Sequence, residues 1–354
     1  MANTYIPQPS DNVLDSPPPF HSKLLDYGER PYWSPDGERI AFIDKNYGDV
    51  CEINVASREV RNLTRDLSDH HAFLRVLFLH NGDYLLIGPK EFKDRDISRH
   101  VESELWVMDK DAKSRPVPLG RRIFEGAGVS TIAPRITYAV SGRNDPSLGS
   151  GQQYECHVTE IEYGENGPRL GADQVVYRAE GIRRPEPQDF RHHDTEVIMA
   201  EYVRDDNHPE ERKCIVKGVE VATGNVRTYI NEPRVHNECE GIFPDGEHIC
   251  LESGCDTTEA IWKLYPKPMA GTTDLWKLKL DGSGRRARLT HFYDRVPWRA
   301  SNSNVSPDGR WLAFMVNFHG DEAGYGRGLG LLDLEAWANS SQAADWDVAP
   351  VNED

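Results

Sequence analysis

Side chains able to grip anions or move protons stand just ahead of apolar segments in this chain: Arg30, His70, His71, Arg184, His236 with Glu238 and Glu240, and Arg299 with Asn302. A guanidinium binds a carboxylate or phosphate through two parallel N–H···O bonds, and imidazole and carboxylate groups transfer protons near neutral pH. The polar segment Asn317 to Gly328 adds Asp321, Glu322, Tyr325 and Arg327, with glycines that permit unusual backbone angles. It lacks the lysine and spacing of a phosphate-cradling loop, so a long structural turn is the simpler reading. For a metal, the histidines to name are His70, His71 and His236, but no HExxH spacing fixes a geometry. Adjacent strand residues point to opposite faces, so one of His70 and His71 is expected to face any shared site. The cofactor is left open, with a divalent metal ion as the one candidate.

Several chemistries are excluded by what is missing. No GxSxG nucleophile elbow occurs, which argues against a serine hydrolase. No GxGxxG follows a strand and opens a helix, which argues against a nicotinamide enzyme. The formal charge of −17 repels phosphate backbones and anionic lipid, and no basic run offsets it, so neither nucleic acid nor membrane is expected as a partner. No stretch approaches the roughly 20 apolar residues of a membrane span. The N-terminal residues show no basic segment followed by an apolar one, so a cytoplasmic protein is expected. Six scattered cysteines without a CxxC pair read mostly as buried thiols.

The elements that position these groups come from a repeat. Three segments share one pattern: Tyr32 to Phe42 around Ser34-Pro35-Asp36-Gly37, Gly241 to Leu251 around Pro244-Asp245-Gly246, and Asn304 to Phe314 around Ser306-Pro307-Asp308-Gly309. Each reads as strand, tight turn, strand: proline presets φ, aspartate caps the turn, and glycine supplies the positive φ. Weaker copies lie at Phe78 to Ile87, where Asn81-Gly82 makes the turn, at Thr131 to Val140, and at Phe190 to Glu201 around His193-Asp194. Third strands follow, such as Val50 to Val55, Glu104 to Asp109 and Asp274 to Leu280, and then fourth strands such as Val60 to Thr64, Val226 to Ile230 and Ala287 to Thr290.

These "SPDG..IAF", "LW.LDL"-like and "R.LT" words resemble the WD40-like (PD40) repeats of TolB-type β-propellers over roughly residues 20–340. The resemblance implies an all-β fold: a propeller of six four-stranded antiparallel blades, or seven if the insertion at Arg143 to Gln153 or Thr257 to Thr272 hides strands. The expected blades span 27–64, 65–119, 120–179, 180–231, 232–290 and 291–336. The last lacks a fourth strand, and His21 to Leu25 has that character, so an N-terminal strand is expected to close the ring. A single domain over 18–337 is expected between flexible tails at 1–17 and 338–354.

In a propeller the residues just before each innermost strand gather at one mouth of the central channel. Register therefore brings the opening list together, either as a self-paired ring of charges or as a pocket for a small anionic molecule or saccharide. More distantly, the fold resembles propeller polysaccharide lyases of the oligogalacturonate lyase type, which use a histidine-rich metal site. That likeness implies β-elimination on a uronate-like substrate: Arg184 or Arg299 on the carboxylate, His236 or His71 as base, Glu238 or Tyr325 as acid, with Arg30, Glu240 and Asn302 in substrate binding. A cyclase or isomerase using the same channel, and a non-catalytic module that binds a protein partner, are the alternatives.

Overall fold

The computed structural model describes residues 12–124, 126–208, 211–255, 273–295, 297–319, 321–322, 324–344 and 347–348. Their strands form six sheets taken in sequence order, the arrangement of a six-bladed β-propeller with four-stranded antiparallel blades at its base. The insertion at Arg143 to Gln153 holds only a turn with the short helix Pro146–Leu148, so it adds no blade; the one at 257–272 lies outside the described residues.

The local chemistry of the hairpins is what the repeat predicts. In Ser34-Pro35-Asp36-Gly37 the Asp36 carboxylate accepts from Ser34 Oγ and from the Glu38 N–H, while Gly37 closes the turn at φ +72°. Asp308 repeats this with Ser306 and Arg310, and Gly309 sits at φ +74°. The fourth hairpin uses no glycine: His192, His193 and Asp194 all adopt positive φ. The closing threonine of the repeat also has a physical role. Thr64 Oγ donates to Asp49 and accepts from the Val50 N–H, and Thr290 does the same with Asp274 and Leu275.

The chain divides into two compact units. Tyr32–Tyr202 with Lys217–Arg227 form one, and its core lies between successive sheets. Ala41, Ile43, Phe73, Tyr84 and Trp106 fill one such layer; Leu77, Leu85, Leu105, Ile136 and Tyr138 fill another. Its third sheet carries the long strand Gln153–Gly164, which pairs with Gln174–Glu180 along its first half and with Gly167–Leu170 at its far end.

Met1–Pro31, Val203–Val216 and Thr228–Asp354 form the other unit. Its fifth sheet runs Asn237–Ile242, His248–Ser253, Asp274–Lys279, Arg285–Arg288, and its sixth runs Trp298–Val305, Trp311–Phe318, Leu329–Asp333. His21–Leu25 supplies the sixth sheet's missing outer strand, antiparallel to Leu329–Asp333, as expected for ring closure. Phe243, Leu275, Phe292, Phe314, Leu332 and Trp337 pack between the two sheets. Burying each such side chain contributes about 1.5–3 kcal/mol.

The tail boundaries need correction. Val13 and Leu14 are buried in this core, and Asn12 both caps Leu14 and donates to the Arg327 carbonyl, so the packed chain starts by residue 12 rather than 18. At the other end the helix Leu334–Ala338, capped by Asp333, buries Trp337, and Asp347–Val348 pairs with Arg285–Arg288 as a fifth strand. Among the described residues no helix is long and apolar enough to cross a membrane.

Candidate active site

The fifth and sixth sheets bring five of the expected residues together around one that was not expected. Asn237, the first residue of the fifth sheet's inner strand, is fully buried; its amide donates to Glu232 and accepts from Ser253 Oγ. Arg286 holds Glu232 in turn at 2.6 Å. This network fixes the strand beside His236 and so sets where the imidazole points. His236 Nε2 lies 3.2 Å from Glu238 Oε2 and 3.8 Å from Glu252 Oε1.

Glu252 is only 5% exposed. It sits in the second strand of the fifth sheet, register partner of Glu238, among Ile249, Cys250 and Leu251. Thr273 Oγ and the Asn302 N–H donate to it. Burial pushes its carboxyl above the usual range and neighbouring Glu238 adds to this, against His236 and Arg299. Asn302 also donates its side-chain amide to Glu240 at 3.1 Å, and does so from a left-handed φ of +44°. A non-glycine residue held there costs on the order of 1–3 kcal/mol and is found where surrounding structure imposes it. Gly241 lets the two inner strands approach: a Cβ there would lie 3.1 Å from the Asn304 amide nitrogen.

Arg299 completes the group. Its Nε donates to Asn317 Oδ1 at 2.7 Å, and the buried Asn317 amide donates onward to Ser301. Among the described residues neither terminal nitrogen of Arg299 has a hydrogen bond or ion pair, which leaves the guanidinium fork open on a fixed stem. The set offers an anion clamp, a buried carboxyl with raised affinity for a proton, and two further carboxylates. One ligand atom from each of His236, Glu238 and Glu252 lies within 4.8 Å of the other two, a spacing that suits a divalent ion.

The other expected residues are placed elsewhere in the fold. Arg30, at φ +50°, lies with its guanidinium against Gly324, and Glu29 accepts from the Gly326 N–H. Tyr325, 40% exposed, lies near the Arg327 guanidinium, which Asp321 holds with two hydrogen bonds. His70, His71 and Arg184 belong to the other unit. His71 Nδ1 is 2.8 Å from Asp49. His70, half-buried, packs against Phe73 and Trp106, and neither of its ring nitrogens has a hydrogen bond. Arg184 is half-buried on the inner strand Arg183–Arg191. The residue missed outright is Glu252; its signal was a lone glutamate directly after the apolar run Ile249-Cys250-Leu251.

No family model and no curated protein matches the chain. Solved structures do. The tricorn protease matches at TM-score 0.54 and 13% identity over 94% of this chain, which spans 26% of that protein. Hydrazine synthase of Kuenenia stuttgartiensis matches at 0.52 and 12%, over 90% of this chain and 81% of that one. A gluconolactonase of Xanthomonas campestris matches at 0.51 and 12%, over 88% and 89%. At such identities the likeness is one of fold. The neighbours are enzymes of differing chemistry on one scaffold, and the chemistry of this chain has to be argued from its own site.

Proposed function

We propose that this chain is a small-molecule enzyme whose active site is the Glu240–Glu252–Arg299 cluster, and most concretely a carbon–oxygen lyase acting on a uronate-like saccharide. The observation that carries the reading is Arg299, a guanidinium anchored through Nε with its fork open beside buried carboxylates. A bidentate pair with a substrate carboxylate fits that fork, and neutralising the carboxylate makes the adjacent C–H more acidic.

Glu240, 4% exposed and oriented by the Asn302 amide, is the base in this account. It takes the proton next to the carboxylate, the electron pair becomes a C=C bond, the bond to the leaving oxygen breaks, and solvent protonates that oxygen. His236 is a poorer choice of base than its residue type suggested, because its Nε2 is turned toward Glu238 and Glu252. An isomerase or cyclase shares the proton abstraction and differs only in what the carbanion does next.

The test is turnover of uronide substrates, followed by the ultraviolet absorbance of the unsaturated product. Glu240→Gln is expected to fold and lose at least about 100-fold in kcat, in line with removal of a general base. Turnover in that variant equal to the unaltered protein rules out this assignment.

A further inference from the structure

We propose that His236 Nε2, Glu238 Oε2 and Glu252 Oε1 bind a divalent cation of the first transition row. Bonds of about 2.0–2.2 Å from one ion to nitrogen and oxygen ligands place adjacent donors about 3 Å apart and opposite ones about 4 Å apart. The spacings of 3.2 and 3.8 Å from His236 Nε2 fall in that range.

Charge gives a second argument. Glu238 and Glu252 are register partners on neighbouring antiparallel strands, and like charges placed directly opposite destabilise a sheet. Glu252 has no lysine or arginine ion pair among the described residues, and a buried carboxylate without one is costly. The fourth sheet shows how the same fold pairs a buried second-strand carboxylate with its own side chains. There Glu201, fully buried in the second strand, is met by Lys217 at 2.6 Å, by Arg183 at 2.5 Å and by the Tyr177 hydroxyl. The fifth sheet supplies Glu252 with a histidine and a second glutamate instead, which is a ligand set.

One imidazole and two carboxylates suit Mn²⁺ or Zn²⁺ better than Mg²⁺ or Ca²⁺, which favour all-oxygen shells. Three protein ligands leave coordination positions open, and the ion's charge offsets the carboxylates that would otherwise repel an anionic substrate. This inference rests on the cluster being the reactive site, and it assigns three residues to the ion while leaving Glu240 and Arg299 to the substrate.

The experiment is isothermal titration of chelator-treated, buffer-exchanged protein with Mn²⁺, alongside Glu252→Gln and Glu238→Gln, each checked for native circular dichroism. The expected result is one saturable site in the unaltered protein, a rise in its Tm with Mn²⁺, and at least about a 100-fold loss of affinity in each variant. No saturable binding, or equal binding in both folded variants, overturns the proposal. If either variant fails to fold, Mn²⁺ electron-spin spectra of the unaltered protein decide, since nitrogen coupling from His236 is expected and its absence overturns the site. The two readings fail separately: absent ion binding with turnover that depends on Glu240 removes the ion alone, and ion binding without uronide turnover removes the lyase alone.

Discussion

Arg299 and Asn317 are register partners across the first two strands of the sixth sheet, and the Arg299 Nε–H donates to the Asn317 carbonyl oxygen at 2.7 Å. The amide is fully buried and its own N–H is tied to Ser301, so it cannot swing away. A long flexible side chain held at Nε enters binding with less freedom to lose, and its two terminal nitrogens are presented in a fixed plane.

Asn317 is therefore a positioning residue for anion binding. Asn317→Ala is expected to raise KM for an anionic substrate about tenfold while changing kcat little, because the substrate's grip loosens before its chemistry does. Equal falls in kcat and kcat/KM would instead place Asn317 in the transition state.

The packed N-terminal segment gives a stability test. Leu14 is 1% exposed and its methyl groups lie against Gly328 and Gly330. Leu14→Ala is expected to cost about 2–5 kcal/mol, as for other large-to-small changes in a core. A cost below about 0.5 kcal/mol in chemical denaturation would return this segment to the tail the sequence suggested.

Most of the fold was legible because the repeat writes its turns locally. Ser-Pro-Asp-Gly fixes a hairpin within four residues, and the closing strand at His21 to Leu25 was found because the last repeat lacked a partner. The candidate site was legible only in part. Repeat register gave His236, Glu238, Glu240, Arg299 and Asn302, since each precedes or lies within an inner strand. Glu252 escaped because it is contributed by the second strand, where a periodic reading expects core. Val13 and Leu14 escaped for a related reason: two apolar residues in a proline-rich stretch carry no period, and only tertiary packing gives them a place.

Glu201 and Lys217 test how the fourth sheet tolerates buried charge. Burial alone raises the Glu201 pKa, but Lys217, Tyr177 and Arg183 outweigh it and hold the carboxyl below its ordinary range. Lys217→Met is expected to cost about 3–5 kcal/mol by leaving the carboxylate without the more buried of its two cations. The double variant with Glu201→Gln is expected to recover much of that loss, and a double variant as unstable as the single one would contradict the pairing.

Asp274 provides the pH signature. Burial pushes its carboxyl up to about 6 from an ordinary 3.8, despite Arg288, Thr290 and the Phe292 N–H around it. The folded state thus keeps a proton that the unfolded chain has released, so this group's contribution to stability falls as pH rises from about 4 to about 6. Asp274→Asn retains an acceptor for Thr290 but removes the titration. Its stability relative to the unaltered protein is expected to improve across that interval, and a constant difference would contradict the raised pKa.

Binding of a small anionic ligand by the Arg299 cluster is tested most directly by thermal denaturation of the unaltered protein and Arg299→Ala against a panel of uronides. A ligand that binds only the folded state raises Tm in proportion to its saturation. The expected result is a rise with uronides that is absent in Arg299→Ala while the two unliganded proteins melt alike. An unchanged Tm with every uronide, or the same rise in both proteins, would contradict it.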